Sequence, residues 1–208
     1  MPKRDRELAR TKLAALLALA KGKQRALVVT HNDPDPDAIG AALGLGELLK
    51  RRAGLEVVLA YRGIVGRAEN RAMVAELDIP LRPLYTLDCD DFDLIALVDT
   101  QPGHGNQPFE DGCIADIVVD HHPLREATKE AAFWDVRENC AATSTIVTWY
   151  LRDARVRISP RVATALFYGI KTDTLGLARS PYPDDTRAYV FLQQRILPDV
   201  LSRIESAS

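Results

Sequence analysis

The chain reads as an α/β protein, an open, mostly parallel sheet of roughly five or six strands flanked by helices, and three observations predict it. First, short apolar runs at 26–29 (ALVV), 56–61 (EVVLAY), 93–99 (DLIALVD) and 114–122 (IADIVVDHH) alternate with segments of helical periodicity. Second, three of these runs deliver aspartate or histidine at or just past their C-terminal ends, and ligands of parallel sheets bind outside the carboxyl ends of the strands. Third, 208 residues with 47% hydrophobic content are enough for one well-buried core and few for two.

Taken in order, Ala9, Leu13, Leu16, Leu17 and Ala20 have the spacing of an amphipathic helix over residues 7–22, packed on the sheet or on a partner chain. Asp5 and Glu7 interrupt the basic residues before it, which favours this helix over a secretory leader. The run 26–29 is the first buried strand. After Thr30-His31-Asn32-Asp33-Pro34-Asp35-Pro36-Asp37, a helix from Ala38 to about Arg52 carries Ile39, Ala42, Leu43, Gly46 and Leu49 on one face. The ordinary structural account of that string makes Asp37 the N-cap of this helix and residues 33–36 an acidic turn.

Residues 56–61 form the second strand, 68–77 a short helix, and 81–85 a short edge strand limited by Pro83. The strand 93–99 leads into a Gly-, Pro- and Asn-rich rim loop, 100–112, whose His104 is either a substrate contact or an exposed loop residue. Residues 114–122 are a further strand and 132–136 an outer one. Helices follow at 141–152, at 160–171 with Ser159 as N-cap and Pro160 in the first turn, at about 185–195 and at 198–206. The order of the strands is not readable from the pattern.

A net charge of −2 offers no broad basic field for duplex DNA, and no apolar run has the length of a membrane span. Cys89, Cys113 and Cys140 lack CxxC spacing and are odd in number, so the expectation is three small buried thiols in a reducing cytoplasm.

The chemistry concentrates at the strand ends. His31, Asp35 and Asp37 follow the first strand, Asp99 ends another, and Asp120, His121 and His122 end a third; Asp173 ends the helix after 160. Mixed imidazole and carboxylate ligands suit Mn²⁺, Fe²⁺, Zn²⁺ or Co²⁺ rather than Mg²⁺ or Ca²⁺. So many acids on one rim repel one another unless cations lie between them, which argues for two metals rather than one.

Four strings stand in register, HNDPDPDAIG from His31, VDT from Val98, VVDHHP from Val118 and GIKTDTLG from Gly169, and with them the chain resembles the DHH phosphoesterase family. That family includes RecJ exonucleases, NrnA-type oligoribonucleases and phosphoadenosine-phosphate phosphatases, cyclic-dinucleotide phosphodiesterases, and family II pyrophosphatases and exopolyphosphatases. The resemblance implies that His31 and Asp35 hold one metal, that Asp37, His121 and Asp173 hold the other, and that Asp99 bridges both. It further implies that His122 touches the substrate phosphate, that Asp120 orients a histidine ring, and that the cofactor is two divalent ions, Mn²⁺ foremost. Asp99, Asp120 and His122 are then the catalytic set, with His122 and His104 at the substrate.

The implied substrates are short oligonucleotides, dinucleotides or nucleotide phosphates. The alternatives are a pyrophosphatase-type anhydride hydrolase and a non-catalytic nucleotide-binding module. Residues 1–208 read as a DHH catalytic domain with an N-terminal helix at 1–23, and a homodimer is compatible with it. The family's C-terminal domain with its GGG motif is expected to be absent. The segment after Asp99 also lacks the arginine that many NrnA-like members carry there.

Overall fold

In the computed structural model, strands β1 (Arg25–Asn32), β2 (Glu56–Arg62), β3 (Leu81–Pro83), β4 (Leu94–Val98), β5 (Ile117–Asp120) and β6 (Phe133–Val136) form one sheet in the order β3-β2-β1-β4-β5-β6. Every pairing is parallel. The helices are α1 (Lys3–Ala20), α2 (Pro36–Ala53), α3 (Ala68–Glu76), α4 (Thr143–Asp153), α5 (Pro160–Asp173), α6 (Pro183–Gln193) and α7 (Pro198–Glu205). The structure describes residues 3–109, 113–179 and 182–207, with the main chain only at 3–8; the last three residues of the expected rim loop, 110–112, lie outside it.

The sheet separates two buried clusters, because alternate side chains of a strand point to opposite faces. Ala26 and Val28 of β1, Leu94, Ala96 and Val98 of β4, and Ile117 and Val119 of β5 join the larger cluster, which holds most of the buried apolar residues of the helices. Leu27, Val29, Ile95, Leu97 and Val118 join the smaller one with Phe109 and Ala115, under irregular chain. Right-handed crossovers send the connections on either side of β1 to opposite faces. Those that follow β4 and β5 contain no α-helix, so helices cover one face and loops the other.

This order reverses direction between β1 and β4, leaving a crevice at their carboxyl ends, the place where doubly wound sheets bind ligands. Close packing of α2 and α5 brings further residues to that crevice. A Cβ on Gly40 would lie 2.7 Å from the Ala165 carbonyl oxygen, and one on Gly169 would lie 2.9 Å from the Asp37 Cα. Any larger residue there would push the two helices apart.

One detail differs from the sequence expectation, and one open alternative is decided. Helix α2 begins at Pro36, and its N-cap is Asp35, whose Oδ1 accepts from the Ala38 amide at 3.0 Å; Asp37 is not its cap. Proline suits the first helical turn because its missing N–H would have no partner there. Helix α1 buries Ala9, Leu13, Leu16 and Ala20 on its own chain, where Lys12 donates to the Trp134 carbonyl at 2.6 Å.

The cysteines correct the expectation of three buried thiols. Cys89 and Cys113 are joined as a disulfide and only partly buried, and Cys140 alone is a buried free thiol. Spacing in sequence did not reveal the pair, because the turn before β4 and the segment before β5 meet only through sheet pairing. A loop closed over a sequence separation of 24 stabilises the chain by about 3 kcal/mol through restriction of the unfolded state. Thiol titration of the denatured, non-reduced protein should find one reactive cysteine and, after reduction, three. Three before reduction would show that the bond does not form.

Candidate metal centre

Each candidate side chain is delivered by the end of an element. His31 sits near the end of β1, and Asp35 caps α2 with Asp37 two residues on. Asp99 follows β4, Asp120 ends β5 with His121 and His122 behind it, and Asp173 ends α5. Ligand atoms of His31, Asp35 and Asp99 lie within 4.8 Å of one another, as do those of Asp37, His121 and Asp173. Asp99 stands between the two groups. Its Oδ2 is 3.5 Å from His31 Nε2 and its Oδ1 3.4 Å from His121 Nε2. His31 Nε2 is also 3.6 Å from Asp35, and His121 Nε2 is 3.6 Å from Asp173.

The backbone is bent to make this possible. Asp99 has φ of 60°, the left-handed region, which holds a non-glycine residue only where the surroundings fix it. Its amide donates to the Val119 carbonyl at 3.0 Å and its Oδ1 accepts from the Thr143 hydroxyl at 2.9 Å. Asp33, also at positive φ, is tied to β2 instead, its amide donating to the Arg62 carbonyl and its Oδ1 accepting from Ile64.

Asp37 is fully buried, and its two oxygens accept the Thr143 and Ser144 amides at 2.6 and 2.8 Å. It therefore caps a helix after all, but α4 rather than its own, where Ala142 has no side chain for the task. Asp185 grips the same turn, accepting from the Ala141 amide at 2.9 Å and the Thr145 hydroxyl at 2.6 Å. Each Asp37 oxygen keeps a second lone pair for a cation.

The histidines divide into two kinds. His31 donates Nδ1–H to the Asn32 carbonyl at 2.8 Å, so its Nε2 is the nitrogen that faces Asp35 and Asp99. His121 is hydrogen-bonded through its ring to the Cys140 backbone, and its Nε2 is buried without a hydrogen-bond partner. An imidazole lone pair aimed at two carboxylates needs a proton or a cation between them. Burial and the neighbouring His122 lower the His121 pKa to about 4, so a proton is disfavoured there and the donor set fits a cation.

His122 differs. Its Nδ1 is held by Asp120 Oδ1 at 2.9 Å, and its side chain is 39% exposed, open toward solvent at the rim. Asp120 also accepts from the His121 amide at 2.8 Å through the same oxygen and from Gln101 Nε2 at 2.6 Å through the other, and its ligand atoms lie within 4.8 Å of those of Asp99, His121 and His122. Gln101, 1% exposed, accepts in turn from the Arg125 amide and the Thr128 hydroxyl. His104 lies beside this group, its ring 5.8 Å from that of His122 and its Nδ1 hydrogen-bonded to Asn106.

The residues that sequence reasoning missed are thus Gln101, Thr143 and Asp185. None lies in a motif-like string, and only their buried polar side chains betray them.

Without cations the acids repel. Burial, then the charges of Asp37, Asp35 and Asp99, raises the Asp173 pKa to about 9. For His31, burial lowers the pKa, and the hydrogen bonds and charges of Asp35 and Asp99 more than reverse it, to about 11. Both groups hold a proton in the folded state above the pH at which the unfolded chain releases it. Stability therefore falls as pH rises from about 6.5 to about 9. Below that window the lowered His121 acts in the opposite sense. The urea midpoint of metal-free protein should drop between those two pH values, and saturating Mn²⁺ should flatten the drop; an unchanged slope with Mn²⁺ would disconnect the acids from cations.

A parallel sheet with imidazoles and carboxylates converging at its switch point defines an α/β protein with a candidate divalent-metal centre. The chain belongs to the DHH family: the model of that family's N-terminal domain matches residues 25–170. It is 39% identical over 180 residues to an uncharacterised protein of Methanocaldococcus jannaschii, spanning 86% of this chain and 37% of that one. A probable manganese-dependent inorganic pyrophosphatase of Deinococcus radiodurans is 33% identical over 167 residues, 79% of this chain and 52% of its own length. A probable bifunctional oligoribonuclease and PAP phosphatase NrnA of Streptococcus mutans is 26% identical over 194 residues, 90% and 56% of the two chains.

The chain thus spans between 37% and 56% of the length of these relatives. A crystal structure of an exopolyphosphatase-related protein from Bacteroides fragilis shares the fold, with a TM-score of 0.73 at 17% identity over 95% of this chain and 60% of that one. Among the described residues no helix is long and apolar enough to cross a membrane.

Proposed function

We propose that the chain is the catalytic DHH domain of a manganese-dependent phosphohydrolase acting on short oligonucleotides or small nucleotides. The observation that supports this most is the buried, unpartnered Nε2 of His121 facing Asp99 and Asp173. On this reading His31 and Asp35 hold one cation, Asp37, His121 and Asp173 the other, and Asp99 is shared. Such cations, when bound, activate water and polarise the phosphoryl oxygens.

The chain's own residues then have distinct tasks. Asp120 holds the His122 Nδ1, so the Nε2–H is presented to the rim, where it donates to a phosphoryl oxygen on which negative charge develops. The hydrogen bond that the His122 Nδ1–H donates to Asp120, set against burial, raises the His122 pKa and favours the protonated ring that carries an Nε2–H. Gln101 fixes Asp120, and Thr143 fixes Asp99. The fully buried Asp37 and its amide partners exclude water from the far side of the centre.

A second reading, an anhydride hydrolase, draws support from the Deinococcus relative. A Mn²⁺-supplemented panel of dinucleotides, phosphoadenosine phosphate, cyclic dinucleotides and pyrophosphate separates the two. Cleavage of dinucleotides or phosphoadenosine phosphate is the expected result, and cleavage of pyrophosphate alone would replace it with the second reading. Absence of Mn²⁺ binding by calorimetry would sink both and leave a non-catalytic module.

A further inference from the structure

Beside the metal-ligand cluster a cavity of about 350 Å³ opens between the starts of α2 and α3 and the end of α5. Asp35 and Asp173 belong to the cluster and also line this cavity, so the two share a wall. The lining also includes Arg67, at the head of α3, and Arg179, beyond α5, together with Tyr168, which is 5% exposed. Glu69 lines it too. Among the described residues neither Arg67 nor Arg179 makes a hydrogen bond or ion pair through its guanidinium, although three carboxylates share the cavity with them.

With Asp35 and Asp173 committed to cations, Glu69 offsets one of the two guanidinium charges and leaves the rest of the lining net positive. Two unpaired planar forks beside a phosphate-cleaving centre match the oxygens of a second phosphate. The volume is that of a small organic ligand, and a single inorganic phosphate would leave most of it empty.

We propose that Arg67 and Arg179 form an anion subsite that holds a phosphoryl group of the substrate other than the one being cleaved. The subsite rests on the hydrolase reading above for the position of the cleaved phosphate. It assigns to this domain itself a grip on the distal end of the substrate, and it selects for substrates with two phosphates separated by a sugar over those with one.

The test measures dissociation constants by calorimetry for adenosine 3′,5′-bisphosphate, adenosine 3′-monophosphate and adenosine 5′-monophosphate. The full chain is used with Ca²⁺ in place of Mn²⁺, and phosphate release is monitored to exclude turnover. Wild type should bind the bisphosphate about tenfold or more tighter than either monophosphate. The double variant Arg67→Ala/Arg179→Ala should lose that preference, and Arg67→Lys/Arg179→Lys should recover part of it, since lysine keeps the charge without the fork.

Mn²⁺ affinity, measured separately, should be equal in wild type and the double variant, which shows that the centre is intact. A wild type that does not distinguish the bisphosphate from the monophosphates, or a double variant that still does, overturns the subsite while Mn²⁺ binding keeps the hydrolase reading standing. A wild type that binds no Mn²⁺ refutes the hydrolase reading and removes the subsite's basis with it.

Discussion

Asp99→Asn is expected to lose Mn²⁺ affinity by more than about a hundredfold in calorimetry and to have no measurable turnover. The comparison that sets the scale is the loss of an outer partner of a metal ligand, which costs about 10- to 100-fold. Asp99 is the group on which both halves of the proposed centre depend, with Oδ2 facing His31 and Oδ1 facing His121. The amide keeps the shape and the hydrogen bond from Thr143 but removes the charge between the two imidazoles.

The same substitution should leave the fold intact. Burial, reinforced by the charge of Asp37, raises the Asp99 pKa well above its ordinary value, which the pairing with His31 only partly offsets, so an ionised Asp99 costs the metal-free protein stability. The urea midpoint without metal should therefore be unchanged or higher in Asp99→Asn. Ordinary Mn²⁺ affinity in a folded Asp99→Asn protein would remove the shared-ligand assignment.

His122→Ala is expected to show the opposite split, with kcat reduced by about 10²- to 10³-fold and Mn²⁺ affinity nearly unchanged. The magnitude is that of removing one donor aimed at developing oxyanion charge. His122 differs from His121 in what holds it: its Nδ1 is taken by Asp120 at 2.9 Å and stands 4.0 Å from Asp99 Oδ1, its side chain reaches solvent, and its ring packs on that of His121 with centroids 4.2 Å apart. Stopped-flow rates together with metal titration decide the matter. Loss of both properties would make His122 a ligand, and unchanged kcat would place it away from the reacting phosphate.

The helices and strands were largely legible because their signals are local. Apolar periodicity located β1, β2, β4 and α5 to within a few residues, and Ser159 caps α5 as its position suggested, accepting from the Val162 amide at 3.3 Å. Element ends were less legible, since competing caps lie two residues apart, and Asp35 rather than Asp37 took the α2 terminus. The disulfide and the strand order were not legible at all, because both depend on which segments become neighbours.

What the sequence determined by itself was the chemistry available: which imidazoles and carboxylates exist, and that parallel strands would deliver most of them to one rim. What only the tertiary structure decided was which atoms of those groups meet and what holds them. The clamp of Asp37 and Asp185 on the first turn of α4, and through Thr143 on Asp99, joins residues more than forty positions apart. The physical reason is that a buried polar group must find its hydrogen-bond partner in the assembled core, and no local pattern records a partner that arrives from another element.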